Sequence, residues 1–393
     1  MQNKKNVLIV HNYYQISGGE DTVVFNEKKL LEDHGYKVVL YTRNNSELKS
    51  MSFFEKLWLP ITTIYNPKTS KDIKKIIKEE NIDVVHVHNT LNLISPSVYY
   101  AALKMKKPVI QTIHNFRMLC PGATLYRDGH VCEECIQYNL GCAIKHNCYR
   151  GSKVQTLACV ISTVVHRLTG IYGKIDYICL TEFNKNKLLN LKQIKSENIY
   201  VKPNFVKNSG KRYERGNDFV FVGRVDALKG VDTLFKAWEK MGKNAPNLII
   251  CGTGPLEEWC QNYIKERNIN NIQMMGKINN IQVREIIGRC RALILPTRVY
   301  EGFPMTIAEA FSEGTPVLTS NIGNSGDLIR EGVTGYKFTP GSEEGIIECV
   351  NKIMNGKDLT DSVQNEYDSK YTEDINLKIL EKIYEEVCIK RKK

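Results

Sequence analysis

The stretch Ala292–Ser320, ALILPTRVYEGFPMTIAEAFSEGTPVLTS, constrains the fold more than any other part of the chain. Ala292–Leu295 is a short apolar run that reads as a buried strand. Pro296 ends it, and Thr306–Ser312 has helical spacing until Gly314 stops it. Between strand and helix stand Glu301 and then Gly302, Phe303 and Pro304, with a second carboxylate, Glu309, eight positions after the first. Backbone N–H groups at Gly302, Phe303 and Met305 fall at the helix N-terminus, where the dipole favours an anion or sugar oxygens. Pro304 suits a first helical turn. Eight residues is a little over two turns, so Glu309 is expected to point into the same region as Glu301, one turn deeper. The alternative for Glu309 is a solvated helix position. Against it, Ala308, Ala310 and Phe311 read as packed, so a carboxylate among them needs a partner.

The alternation of strand and helix recurs along the chain. Val7–Val10, Lys37–Tyr41, Val84–Val87, Pro108–Ile113 and Asp176–Leu180 are apolar runs separated by helical segments, and Phe219–Val222, Leu248–Cys251 and Ile272–Met275 repeat the pattern. This is the pattern of doubly wound parallel sheets in an α/β protein. At 393 residues the chain is long for one core, and two domains of roughly 150–200 residues are expected. The polar, aperiodic segment NSGKRYERGND, just after Pro203 and Asn204, marks the division. The domains are therefore placed at 1–203, with a cysteine-rich insert at about 115–150, and at 204–371, followed by a terminal helix over 372–393.

Several strand ends carry chemistry. Gly18 and Gly19 precede the first helix, where backbone can approach a ligand closely; alone, a Gly-Gly pair is weak evidence. His114 is delivered by the end of the Pro108–Ile113 strand, the end at which open α/β sheets bind ligands. A structural hydrogen-bonding histidine is its ordinary alternative. Phe116 and Arg117 follow. Arg224 and Lys229 lie between Gly223 and Gly230 on a strand-to-helix loop, where a planar fork and a point charge suit a diphosphate. The Gly252–Pro255 turn, GTGP, lacks the third glycine of a dinucleotide fingerprint and the acidic residue that should follow, which disfavours a nicotinamide enzyme. No D-x-D occurs, so the cations and the helix N-terminus at Gly302–Met305 must meet the charge of a departing nucleotide.

Charge is uneven: the net +12 divides into +11 up to Phe205 and +1 from Val206 onward. A basic first domain suits an anionic membrane surface, an anionic lipid-linked substrate or nucleic acid, and no nucleic-acid-binding signature is present. Met51–Asn66 mixes aromatic and aliphatic residues with Lys56 and precedes Lys68, Lys71, Lys74, Lys75 and Lys78. It reads either as an interfacial helix at a membrane or as a core-packing helix followed by a solvated one. No run approaches about 18 apolar residues and no signal-peptide pattern opens the chain, so a cytoplasmic protein, peripheral on the membrane's inner face if attached at all, is expected. Twelve cysteines should then be reduced. Cys132 and Cys135 have chelate spacing, flanked by Cys120 and Cys148. Four thiolates could close a structural zinc site that pins the insert, or the group could be free thiols.

Glu301, seven residues, Glu309, enclosing GFP and followed by A-x-x-x-G-T-P-V, resembles the retaining glycosyltransferases of family 4, which have the GT-B fold. The resemblance implies two Rossmann-like domains facing a central cleft, a hinge at Pro203–Asn204 and a final helix crossing back to the first domain. It implies that Gly18, Gly19, Arg224 and Lys229 lie at the donor diphosphate and that Glu301, with Gly302, Phe303, Pro304 and Met305, holds the donor sugar. It implies further that Glu309 binds the ribose and that His114 contacts the sugar. The expected activity is transfer, with retention and no catalytic cofactor or metal, from a nucleotide sugar, most often UDP, to a glycan or polyprenyl-diphosphate-linked acceptor in polysaccharide assembly. An epimerase on the same fold and a non-catalytic lipid- or glycan-binding protein are the alternatives. A glycosidase pair of carboxylates would leave Arg224 and Lys229 without a role.

Overall fold

In the computed structural model residues 4–15 and 18–391 are described. The chain divides into two units: Met1–Leu125 with Cys132–Pro203 and Asn376–Lys393, and Asn204–Ile375 with Tyr126–Val131.

The first unit is built on β1 (Asn6–Tyr13), β2 (Lys37–Asn44), β3 (Val84–Asn89) and β4 (Val109–Ile113). β7 (Asp176–Cys179) and β8 (Ile199–Val201) complete its sheet, whereas β5 (Tyr126–Arg127) and β6 (His130–Val131), a short antiparallel hairpin of the insert, group with the second unit and not, as the sequence suggests, with the first. The sheet order is β2-β1-β3-β4-β7-β8, parallel throughout. Helices cover both faces of such a sheet, which is why Val7, Leu8, Ile9 and Val10 run without polar alternation and are all fully buried. The strand order reverses between β1 and β3, and the loops at their carboxyl ends form the crevice that the fold offers to a ligand. The terminal helix Glu373–Lys390 joins this unit from Asn376 on, burying Leu380, Ile383, Tyr384 and Val387.

Its most telling core feature is ionic. Lys202, immediately after β8, is 1% exposed, and its Nζ lies 2.9 Å from Glu27 Oε2 and 3.0 Å from Asn376 Oδ1. Removing either charge would leave the other buried and unpaired, which typically costs about 3–5 kcal/mol.

The second unit carries β9 (Phe219–Val222), β10 (Leu248–Cys251), β11 (Ile272–Gly276), β12 (Ala292–Leu295), β13 (Val317–Ser320) and β14 (Gly335–Phe338). Its parallel sheet has the order β11-β10-β9-β12-β13-β14, the arrangement of dinucleotide-binding folds, with the reversal between β9 and β12. The strand ends pack backbone against backbone. A Cβ on Gly252 would stand 1.8 Å from the Gly223 carbonyl oxygen, and one on Gly230, whose φ is +70°, 2.0 Å from that of Pro296. The GTGP turn thus needs its first glycine for close packing beside the β9 loop, without any fingerprint role.

The helix Phe53–Ile64 departs from one of its two readings. Phe53, Phe54, Leu57, Trp58 and Ile61 are 54–76% exposed, and Thr63 is the one buried residue of the helix. A core-packing helix is ruled out, because most of its apolar stripe faces outward, while Thr63 turns inward with Leu59 and Ile64 half-buried.

Candidate active site

In the second unit the site forms where the strand order reverses. After β9, Asp226 caps a tight turn: its Oδ1 accepts the Lys229 backbone N–H at 2.9 Å and its Oδ2 accepts Arg224 Nε at 2.5 Å. After β12 the chain brings Glu301 to Lys229, Nζ to Oε1 2.6 Å, and Thr297 Oγ1 donates to the same carboxylate oxygen at 3.0 Å. One ion pair therefore joins the two loops on either side of the reversal. Asn324, fully buried at the start of the Gly323–Asp327 helix after β13, donates through Nδ2 to the carbonyls of Glu301 at 2.6 Å and Gly302 at 2.7 Å. Three successive loops are thereby held in one arrangement. Arg224 leaves 63% of its side chain in solvent, a cation free to swing toward an anion while its Nε rests on Asp226.

The helix begins at Met305, with Pro304 at its N-cap, one position before the first turn expected of it. Phe303 packs against the core and against Tyr371. Glu309 is held by other neighbours than Glu301. Asn280 Nδ2 donates to its Oε1 at 2.9 Å, and burial pushes its pKa up, opposed by the Asn280 bond and the Arg284 charge. The side chain thus has the partner that its packed surroundings require.

In the first unit Ile16 and Ser17 lie outside the described residues, and Gly18 begins the helix Gly19–Asp33. Its N–H donates to Asp21 Oδ2 at 3.2 Å, while Asp21 Oδ1 sits 2.8 Å from His11 Nε2. A Cβ on Gly18 would meet nothing within 4 Å among the described residues, so packing does not dictate glycine there. Beside it, Tyr14 donates to Glu20 Oε2 at 3.0 Å, and burial pushes Glu20 up to about 8.

His114 stands at the end of β4, and its Nε2 lies 2.9 Å from His88 Nδ1. The rings of His114, His88 and His86 stack in series, with centroids 5.2 Å and 4.5 Å apart. Behind them lies Glu27, whose Oε1 is 3.0 Å from His86 Nδ1. Burial and the neighbouring imidazoles drag His114 well below its ordinary pKa and His88 to about 3, so both rings are neutral at physiological pH. His114 opens on a cavity lined also by Asn115, Arg117, Thr163 and Tyr172.

Sequence reading missed this stack and its base, Glu27 with Lys202. The only signal was the alternation HVH in VVHVHN, which places two imidazoles on one face of β3. Glu27, His86 and His88 are, among the described residues, the one group of potential metal ligands within 4.8 Å of one another. Lys202 occupies Glu27 with a cation, and Tyr384 and Thr112 bond the two nitrogens of His86. The group is a buried cluster of stacked rings beside an ion pair, with His88 Nε2 and Glu27 Oε1 left without a hydrogen-bond partner.

The cysteines gather around Cys135, whose thiol is pushed up to about 12 by burial and then by Cys120, Cys148 and Cys142. Among the described residues no three cysteine sulfurs lie within 4.8 Å of one another, so the expected set Cys120, Cys132, Cys135 and Cys148 is not drawn into a closed tetrahedron.

Two parallel-sheet Rossmann-like units, with site loops at their strand reversals, define the GT-B class. A glycosyltransferase from Rickettsia africae has this fold at a TM-score of 0.70 and 17% identity, over 98% of this chain and 99% of that one. The Anabaena protein HepE, solved in complex with UDP, matches at a TM-score of 0.66 and 15% identity, over 96% of this chain and 99% of that one. The chain itself belongs to the glycosyltransferases: residues 17–129 match the model Glycosyltransferase Family 4 and residues 204–369 the model Glycosyl transferases group 1. An uncharacterized glycosyltransferase of Methanocaldococcus jannaschii is 24% identical over 97% of this chain and 98% of its own length.

Proposed function

We propose that the protein transfers a sugar from a nucleotide donor, UDP being the expected nucleotide, to a lipid-linked glycan, with retention of configuration and without a catalytic metal. The observation that carries this reading is the Lys229–Glu301 pair across the strand reversal. A cation and a carboxylate 2.6 Å apart, 25% and 15% exposed, present a phosphate partner and a sugar-hydroxyl partner at one point. UDP in the structurally similar HepE supports the choice of nucleotide.

In this reading Lys229 and Arg224 bind the diphosphate and neutralise the charge that grows on it as the glycosidic bond breaks. Losing one such partner typically costs about 10²–10³ in rate. Glu301, released from Lys229 as phosphate takes the cation, accepts from donor-sugar hydroxyls, and Glu309 accepts from the ribose. Gly18 and Gly19 offer backbone to the diphosphate, and His114, neutral and fixed by His88, offers a hydrogen bond to the sugar. The acceptor hydroxyl attacks on the face from which the nucleotide leaves, and a phosphate oxygen takes its proton. Zinc on the cysteines is proposed only as a structural pin. The exposure of Phe53, Phe54, Leu57, Trp58 and Ile61 on the basic first unit supports an acceptor at the cytoplasmic face of a membrane. No helix among the described residues is long and apolar enough to cross a membrane.

A thermal-shift screen against UDP, GDP, ADP and their sugar conjugates tests the donor. Ligand at about 100 times its Kd adds about 2.7 kcal/mol of stability. A shift with one nucleotide and its sugar conjugate is expected; silence toward all of them would refute the transferase reading. Release of free sugar and nucleotide with every acceptor offered would turn it toward the epimerase.

A further inference from the structure

The first unit holds a second cavity, of about 340 Å³, between the helices Phe53–Ile64 and Lys153–Leu168. Its walls are apolar at Leu59, Pro60, Ala158 and Cys159 and basic at Lys56 and Arg150. Among the described residues no acidic side chain lines it. Thr63 and Cys159 belong both to this groove and to the cavity in which His114 and Arg117 stand, so the two share a wall. Tyr149 ties their cations together: the guanidinium carbons of Arg117 and Arg150 lie 5.2 Å and 5.5 Å from the centre of its ring. Outward, the groove continues into the exposed apolar surface, where Leu57, Trp58 and Val154 are 59–72% exposed.

We infer that this groove seats the hydrocarbon chain of the lipid-linked acceptor, with its phosphate held by Arg150 and Arg117 about the Tyr149 ring and by Lys56 at the groove's mouth. The inference rests on the acceptor reading above and specifies how this chain meets it. An apolar slot that opens on an apolar surface, with cations at its mouth, matches a molecule with a long hydrocarbon tail and an anionic head. A soluble glycan has no use for the apolar walls. A membrane bilayer alone has no use for a slot that runs inward to a second cavity. Two arginines on one tyrosine ring are pre-oriented, so little side-chain freedom is lost when they close on a phosphate.

Equilibrium binding of farnesyl phosphate to the full chain, measured below the lipid's micelle concentration and against farnesol and inorganic phosphate, tests the assignment. Ala158→Trp fills the slot and Arg150→Glu reverses the charge at its mouth; each is expected to weaken farnesyl phosphate binding by about tenfold or more. Phe53→Glu, on the exposed face outside the groove, is expected to reduce retention on anionic vesicles and leave farnesyl phosphate binding as in the wild type. Wild-type affinity in both groove variants, with unchanged circular dichroism, overturns the inference. So does farnesol bound as tightly as its phosphate, or inorganic phosphate that binds as tightly as the lipid. The UDP thermal shift is read on the same samples. A missing UDP shift with intact groove dependence removes the transferase reading, whereas a normal UDP shift with indifferent groove variants removes only this one.

Discussion

At the scale of single residues, Lys229 and Glu301 divide the work between charge and recognition. Lys229→Met removes the cation and leaves Glu301 beside Thr297 alone. Turnover is expected to fall by about 10²–10³, and the UDP-induced thermal shift should shrink with it. Glu301→Gln keeps the hydrogen-bonding shape and should lower transfer while sparing nucleotide binding. An unchanged UDP shift in Lys229→Met would separate the residue from the diphosphate. Glu20 is tested by pH. Its folded pKa of about 8 lies above the ordinary 4.5 because burial disfavours the anion. Between those values the unfolded chain has released the proton and the folded one has not, so rising pH favours unfolding across that window. Glu20→Gln mimics the protonated form; its melting temperature relative to wild type should therefore climb from about pH 5 to about pH 8 and then level off. A constant difference would mean that Glu20 is already ionised in the fold. These pairings differ in how far the sequence shows them. Arg224, Lys229 and Glu301 stand out because their spacing puts charge at loop positions. Glu20 reads as one more helix-terminal acid, and its burial depends on Tyr14 and a fold that no local pattern encodes.

At the scale of elements, the strand–loop–helix units were legible because a buried parallel strand has nowhere to place polar residues. The positions of the strands followed from apolar runs, and their ends from glycine and proline. Two things did not follow. The brace at Asn324 is a contact between loops that follow different strands, and nothing in the local sequence NIGNSGD marks the partners of its amide. Asn324→Ala leaves two carbonyls short of a donor and should cost about 1–3 kcal/mol. Because those carbonyls belong to Glu301 and Gly302, kcat should drop more than the stability loss explains at temperatures well below melting. Activity falling only in step with the folded fraction would reduce Asn324 to a packing residue. The helix Phe53–Ile64 was ambiguous for a plain reason: an apolar stripe looks the same whether it meets a core or a bilayer. The exposure of Trp58 and its neighbours excludes the core, and exposure belongs to the tertiary structure.

At the scale of the whole molecule, the two units are both six-stranded parallel sheets, with different strand orders and different interiors. The second packs an apolar core around Phe219, Phe235 and Trp238, while the first runs a polar seam through its sheet from Lys202 and Glu27 to the stacked histidines. That seam should govern acid stability. Burial holds His88 near 3, far below an unfolded histidine at 6.5, and holds His114 low for the same reason. Glu27 is also held low, because Lys202 and His86 outweigh its burial. In each case the unfolded chain takes up a proton that the folded chain refuses, so stability present at neutral pH is lost as pH falls, from about 6.5 for the histidines and from about 4.5 for Glu27. His88→Gln removes one of these protons. The variant is expected to be less stable than wild type at neutral pH, since the contact to His114 is altered, yet to lose stability less steeply on acidification. The slope difference is at most about 1.4 kcal/mol per pH unit. Urea unfolding at pH 7, 6, 5 and 4 reads that slope directly. Parallel curves for the two proteins would show His88 titrating normally in the fold, and the neutral imidazole assigned to His114 would lose its support. A shallower curve would show that the seam keeps both rings uncharged, so that the histidine at the end of β4 meets its ligand as a hydrogen-bonding group and not as a cation.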